Sequence, residues 1–334
     1  MNVMLTSVGR RAYMVKYFKE VLGNTGKVYV SNSDDKSIAF KYADEKVITP
    51  LIYDDNYIPF LLNYCKKNSI DILISLFDID LLILAKHKKQ FEEIGTKVIV
   101  SDPQIIEICN DKWMTYQFLK NNDFNVPASF LNINEVVAKI TAGELNYPIV
   151  VKPRYGCGSI SIAIAYDEDD LRYLTKRANE DIANSYLKYE SAVTNDKVLY
   201  QECLKGQEYG ADIINDLSGI TQNVIVRKKI AMRSGETDIA ELVDEPIIKE
   251  VLEKLGKVTK HIANMDCDVF LVDGVPYILE MNARFGGGYP FSHMGGCNLP
   301  KAIIEWAKGN AVSKDMISAQ IGISGFKEIF ITEL

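Results

Sequence analysis

Asp268-Val-Phe-Leu-Val-Asp273-Gly274-Val-Pro-Tyr-Ile-Leu-Glu280-Met-Asn282-Ala-Arg284 is the stretch from which the rest of the chain can be read. Apolar and β-branched residues flank its Asp-Gly dipeptide on both sides, a pattern that predicts two antiparallel strands joined by a tight turn. Glu280 and Asn282 are two residues apart, so a strand points both to one face, and the partner strand can bring Asp268 alongside. Close carboxylates repel unless a cation neutralises them, and Mg²⁺ is typically held by one or two carboxylates together with phosphate oxygens. Arg284 falls on the same face and can hold a further anion. A solvated polar hairpin is the alternative reading of this segment alone, so other segments have to decide.

Two of them lie upstream. Tyr147-Pro-Ile-Val-Val-Lys152-Pro-Arg-Tyr-Gly156-Cys-Gly158-Ser159-Ile-Ser-Ile reads as a strand, a glycine loop and a second strand. Backbone N–H groups and hydroxyls at Gly156, Gly158 and Ser159 can cover phosphates at a distance that larger side chains would not allow. Lys152 would point from its strand toward the same oxygens. The GxxxxGK[ST] pattern of a P-loop is missing, and an ordinary surface hairpin is the competing reading. Tyr200-Gln201-Glu202-Cys-Leu204-Lys-Gly-Gln-Glu208 then reads as a strand, a short connector and a new strand. Such a connector can offer backbone groups at Leu204 to a purine edge and a carboxylate at Glu208 to ribose hydroxyls, although solvated loop acids are the simpler alternative.

The first third alternates strands and helices. Val3 to Val8 is a short buried-type strand, Ala12 to Leu22 a helix and Val28 to Val30 a strand, with a further strand at Lys46 to Thr49. Leu61 to Lys67 and Leu81 to Phe91 read as helices, Ile70 to Leu76 and Lys97 to Val100 as strands. This alternation predicts right-handed βαβ units and a doubly wound parallel sheet over residues 1–104. Its first turn, Gly9-Arg10-Arg11, lies where such sheets bind ligands, but GxGxxG is missing, so a nicotinamide-dependent oxidoreductase is disfavoured. Gly9, Arg10 and Arg11 are candidates for a substrate anion, with a structural turn as the alternative, and Asp78 at another strand end carries the same ambiguity.

Size and composition set limits. The 334 residues suit two or three layered units, and 47% hydrophobic with 25% charged residues is ordinary for a soluble globular protein. A net charge of −7 argues against nonspecific nucleic-acid binding, which needs a dense array of cations. The six cysteines form no CxxC pair and only three histidines are present, so neither a zinc site nor a disulfide framework is expected. No apolar run approaches the ~18 residues of a membrane span and no signal-peptide head is evident, so a cytoplasmic location without membrane association is expected.

Lys112, Lys152 with its glycine loop, the Gln201 to Glu208 connector, Asp268, and Glu280-x-Asn282 occur in an order that resembles the ATP-grasp superfamily over about residues 105–310. The N-terminal sheet resembles the preATP-grasp domain, Rossmann-like, that precedes it. The expected architecture is thus α/β and α+β, a doubly wound sheet followed by a two-lobed ATP-grasp domain over residues 105–334, with a mobile lobe at about 128–205. Within the superfamily the chain looks most like single-unit, carbamoyl-phosphate-synthase-like proteins and carboxylate–amine ligases.

The resemblance implies that Lys112 and Lys152 bind ATP phosphates, that Glu202 or Gln201 accepts from the adenine amino group, and that Leu204 supplies backbone contacts. Glu208 would hold the ribose, and Asp268, Glu280 and Asn282 would hold Mg²⁺, with Mn²⁺ as a substitute. Arg284 would bind the acyl phosphate or substrate carboxylate. Arg233, in Arg227-Lys-Lys-Ile-Ala-Met-Arg233-Ser-Gly-Glu-Thr237, matches a strand and loop near the acyl phosphate in the family. Catalysis is therefore expected of Arg284, Arg233 and Lys152, acting on a small-molecule carboxylate and an amine, with a homodimer as the default assembly. The chain is too short for the two ATP-grasp units of full-length carbamoyl phosphate synthase. A carbamoyl-phosphate-synthase-like subunit and an ATP/ADP-dependent regulatory module are the competing functional readings.

Overall fold

A computed structural model describes residues 1–156 and 160–333. The N-terminal sheet is built from β1 (Val3–Thr6), β2 (Val28–Asn32), β3 (Glu45–Ile48), β4 (Ile72–Ser75) and β5 (Lys97–Val98), interleaved with α1 (Ala12–Leu22), α2 (Tyr57–Lys67) and α3 (Asp78–Glu93). The strands run parallel in the order β3-β2-β1-β4-β5. β1 and β4 are buried at every position, as strands covered by helices on both faces must be. The expected doubly wound sheet is present, and α1 spans the residues its apolar periodicity predicts. The first strand stops at Thr6, earlier than expected, because Ser7 turns to a positive φ of 51°.

Two helices, α4 (Pro103–Asn110) and α5 (Lys112–Asn121), lead into the second part. Pro103 starts α4, where its missing N–H costs nothing. Then come β6 (Ser129–Phe130), α6 (Ile133–Thr141), β7 (Ile149–Pro153), β8 (Ala163–Ala165), α7 (Glu168–Ala183), α8 (Leu187–Glu190) and β9 (Val198–Glu202). Their strands form an antiparallel sheet in the order β6-β9-β7-β8. This lobe has its own core, in which Val136, Ile149, Leu171, Leu187 and Tyr200 pack together. It touches the N-terminal unit through Tyr53, which stacks on Tyr189 and donates to Glu190 Oε1 at 2.9 Å.

The largest sheet contains β10 (Gln207–Asn215), β11 (Thr221–Arg233), β12 (Glu236–Val243), β13 (Asn264–Val272), β14 (Val275–Asn282) and β15 (Ser324–Phe326), in the order β14-β13-β10-β11-β12-β15. One face is covered by α9 (Pro246–Thr259), whose Ile248, Leu252 and Leu255 join a core that runs on to Met4 and Leu73 of the N-terminal sheet. After β14 come α10 (Tyr289–Met294) and α11 (Leu299–Ala307), the latter packed on α1. Both lobes therefore face a common cleft. No helix among the described residues is long and apolar enough to cross a membrane.

Candidate active site

Part of the opposite face of the six-stranded sheet is polar, and strand register explains how its charges meet. Across neighbouring antiparallel strands, directly paired residues share a face. Asp268 pairs with Glu280 on one side and with Gly210 on the other, and Gly210 pairs in turn with Arg227. The adjacent row pairs Asn282 with Asp266 and Asp266 with Asp212. Four strands thus carry two rows of charged and polar groups into a cleft of about 760 Å³.

At one end of this cleft Val150, Ile162, Ile164, Leu204, Phe270 and Leu279 supply apolar walls. Lys152 is 4% exposed there, and its Nζ donates to Gln201 Oε1 at 2.8 Å. Gln201 Nε2 donates in turn to Ser129 Oγ at 2.9 Å, so both ends of this amide are engaged. Burial pushes the Lys152 ammonium down to about 8, and the Lys112 charge adds to the effect while Glu280 and Asp268 oppose it. Glu202 Oε2 accepts from the Ala128 N–H at 3.1 Å. Lys112 Nζ donates to the Gly156 carbonyl at the base of the glycine loop.

Asp111 sets that last geometry. Its carboxylate caps α5, accepting from Trp113 N–H at 2.9 Å, and also takes two hydrogen bonds from Arg154 at 2.8 and 2.7 Å. The same side chain thereby fixes the helix that begins at Lys112 and the strand end that leads to Gly156.

The middle of the cleft is the oxygen-rich wall. Asp268 Oδ1 accepts from Lys229 Nζ at 2.7 Å, and Lys229 donates also to Glu208 Oε1 at 2.7 Å. Burial raises the Asp268 carboxyl to about 6, helped by Asp266 and Glu208 and opposed by Lys229. Among the described residues no three His, Cys, Asp or Glu side chains converge as a metal-holding group. The donor set is two carboxylates and an amide, all hard oxygen donors, which fits Mg²⁺ completing its shell with phosphate oxygens and water.

The far end gathers arginines. Arg227, 1% exposed, binds Asp212 Oδ2 at 2.6 Å and Asp266 Oδ1 at 2.5 Å. Asp212 also accepts from Ser292 Oγ at 2.6 Å and Asn264 Nδ2 at 2.9 Å. Arg284 Nε lies 2.8 Å from Asp78 Oδ1, and its Nη1 lies 3.6 Å from Asp266 Oδ2. Gly286 and Gly288 make room for this assembly: a Cβ on Gly286 would sit 2.0 Å from the Asp266 carboxyl carbon, and one on Gly288 would sit 2.1 Å from Arg227 Nε.

The cleft is therefore lined by Lys112, Lys152, Gly156, Gln201, Glu202, Leu204, Glu208, Asp268, Glu280, Asn282 and Arg284 together, with Arg10, Arg11 and Asp78 at the arginine end. Gly9 is not part of the lining, and its carbonyl accepts from Ser37 Oγ at 2.6 Å. Arg233 is not brought to the cleft either. It sits at the outer end of β11, opposite Glu236 beside the turn into β12, where it pairs with Asp238 at 2.5 Å and donates to the Lys327 carbonyl. Gly158 and Ser159 lie outside the described residues. Sequence reasoning missed Asp111, Asp266, Arg227 and Lys229. The last three were signalled by the alternations Asp266-x-Asp268 and Arg227-x-Lys229, each a same-face pair on its strand.

Comparison with known proteins places the chain. Residues 109–288 match the family described as the ATP-grasp domain, and residues 3–99 match the PylC-like N-terminal domain. The carbamoyl phosphate synthase large chain of Corynebacterium glutamicum is 26% identical over 298 residues, covering 85% of this chain and 25% of that one. The chain thus spans about a quarter of the length of that relative. Among solved structures, the biotin carboxylase domain dimer of Hydrogenobacter thermophilus 2-oxoglutarate carboxylase, in complex with MgADP, ADP and bicarbonate, superposes with a TM-score of 0.73 at 19% identity, covering 95% of this chain and 72% of that one. Staphylococcus aureus N5-carboxyaminoimidazole synthetase complexed with ADP gives 0.72 at 16% identity, covering 96% and 79%. At these identities the structural likeness speaks for the fold.

Proposed function

The chain belongs to the ATP-grasp family, and on that premise we propose that it is an ATP- and Mg²⁺-dependent ligase that activates a small-molecule carboxylate as an acyl phosphate for attack by an amine. The observation that carries this reading is the single cleft lined by Lys112, Lys152, Asp268, Glu280, Asn282 and Arg284, assembled from separate stretches of sequence.

In this reading the apolar end takes the adenine, with Leu204 in the connector and Glu202 beside it. Gln201 is committed to Lys152 and Ser129, so it orients the lysine and leaves the purine edge to Glu202 and the connector backbone. Glu208 faces the ribose while anchored to Lys229. Lys112 and Lys152 meet the phosphates. Asp268, Glu280 and Asn282 would hold Mg²⁺, which supplies charge neutralisation at the phosphate oxygens when bound.

A substrate carboxylate oxygen then bonds to the γ-phosphorus as the bond to the β–γ bridging oxygen breaks, giving ADP and an acyl phosphate. An amine nitrogen next bonds to the acyl carbon, a proton leaves the nitrogen, and inorganic phosphate departs. No covalent intermediate on the protein is needed, because positioning and electrostatic stabilisation supply most phosphoryl-transfer catalysis. In this reading Arg284 steadies the acyl phosphate.

The test is phosphate release with MgATP over mixed carboxylates and amines, with hydroxylamine added to trap the acyl phosphate as a hydroxamate. Glu280→Ala should lower the productive rate by on the order of 10³-fold. Phosphate release by that variant near the parent rate would remove Glu280 from the metal wall.

A further inference from the structure

We propose that Asp78 and Arg11, at the carboxyl edge of the N-terminal sheet, are positioning residues for Arg284. The inference rests on the proposed role of Arg284 at the acyl phosphate.

Strands β1 and β4 lie side by side in the order β3-β2-β1-β4-β5, which makes the gap beyond their carboxyl ends the topological switch point of the sheet. Sheets of this kind bind ligands there. In this chain the turn after β1 provides Arg11 and the end of β4 provides Asp78, the first residue of α3. Both reach across to the segment that leaves β14. Asp78 Oδ1 lies 2.8 Å from Arg284 Nε, and Arg11 Nη1 donates to the Phe285 carbonyl at 2.5 Å.

One contact therefore fixes the guanidinium and the other fixes the backbone beside it. The arginine is 7% exposed between Asp78 of the N-terminal unit and Asp266 of the large sheet. Its Nη1 also donates to the Phe285 carbonyl at 3.2 Å, so Arg11 and Arg284 converge on one oxygen. Around this point α1 closes the seam: Phe18 meets the Phe285 ring edge-on at 6.5 Å, and Tyr17 stacks on His293 at 3.6 Å.

The two supports are joined to each other. Asp80, fully buried, accepts from Thr6 Oγ1 at 2.5 Å, Ser7 Oγ at 3.1 Å and Tyr57 Oη at 2.7 Å, tying the turn after β1 to α3. A planar guanidinium presents its donors in a fixed fork, so its orientation decides what it can hold.

The test uses the full chain and three variants, Asp78→Asn, Asp78→Glu and Arg11→Met, with two readouts. Without substrate, hydrogen–deuterium exchange across 283–289 should rise in Asp78→Asn and Arg11→Met and return toward the parent level in Asp78→Glu. In turnover, Asp78→Asn should lower kcat by about 10- to 100-fold while KM for MgATP stays within about twofold, as expected when a catalytic group is misplaced and ground-state binding is intact. Unchanged exchange in both Asp78→Asn and Arg11→Met overturns the proposal. So does a higher KM for the carboxylate or amine at constant kcat, which marks direct substrate contact. A parent protein that releases no phosphate with any substrate pair counts against the ligase reading alone, because the exchange result is obtained without substrate.

Discussion

At one end of the cleft Lys152, 4% exposed, hydrogen-bonds the neutral amide of Gln201; at the other Arg227, 1% exposed, lies between Asp212 and Asp266. Both cations are buried, yet only the second has carboxylate partners in contact. Lys152 makes no ion pair among the described residues, and burial lowers its pKa to about 8 as a result. A buried cation without a counter-ion costs folding energy, and a polyanionic ligand is what can recover it. Arg227 is already neutralised internally and serves as scaffold. Charge of one sign therefore does two jobs in one cleft, and the fixed partners distinguish them.

The largest effect expected is on the scaffold. Arg227→Met leaves Asp212 and Asp266 without their shared cation, and breaking a buried pair in this way should cost about 3–5 kcal/mol of stability in urea unfolding. A loss below ~1 kcal/mol would break the contrast between the two ends. Lys152→Met should do the reverse: nucleotide affinity falls by about 1.5–3 kcal/mol in MgADP calorimetry, the worth of a hydrogen bond to a charged group. Stability should hold or rise, since a desolvated charge is replaced by an apolar chain of similar volume.

The smallest effect is a pH dependence, and it sharpens the assignment to Lys152. Its folded pKa of about 8 lies below the ordinary 10.5. Between those values the unfolded chain binds the extra proton, so this group makes stability rise with pH across that window. Bound phosphate favours the charged ammonium. MgADP affinity should therefore fall as pH climbs past about 8, by at most about tenfold per unit, with proton uptake on binding. Affinity that stays flat from pH 7.5 to 9.5 would transfer the phosphate role to Lys112 or to the backbone.

Much of this was legible before any coordinates. The alternation of short apolar runs with helical periodicity identified the parallel sheet, and the Asp273-Gly274 turn identified the antiparallel pair that brings Asp268 alongside Glu280. The turn alone would set Asp268 opposite Leu279, and a bulge between Asp268 and Val269, which the sequence did not announce, makes Glu280 its partner. What could not be read were the partners of each charge. Arg227 and Asp266 are 39 residues apart and meet only because β10 lies between their strands. Asp78 and Arg284 meet across two structural units, a distance that strand periodicity does not encode. In the run of basic residues from Arg227 to Arg233 the sequence singled out Arg233, whereas the strand buries Arg227 at the cleft and leaves Arg233 exposed at its far end.

The glycines beside that buried arginine bear on how the sequence can change. Side chains at 210, 286 or 288 would collide with Arg227 or Asp266, the nearest approach at Gly210 being 2.8 Å from Arg227 Nε. A side chain at any of the three positions requires Arg227 or Asp266 to shift from the ion pair. A relative that lost the arginine would free 210 and 288 at once, so positions 210, 227 and 288 should vary as one linked set, with 286 following 266, and a side chain at 288 in a related sequence would signal an arginine moved or lost.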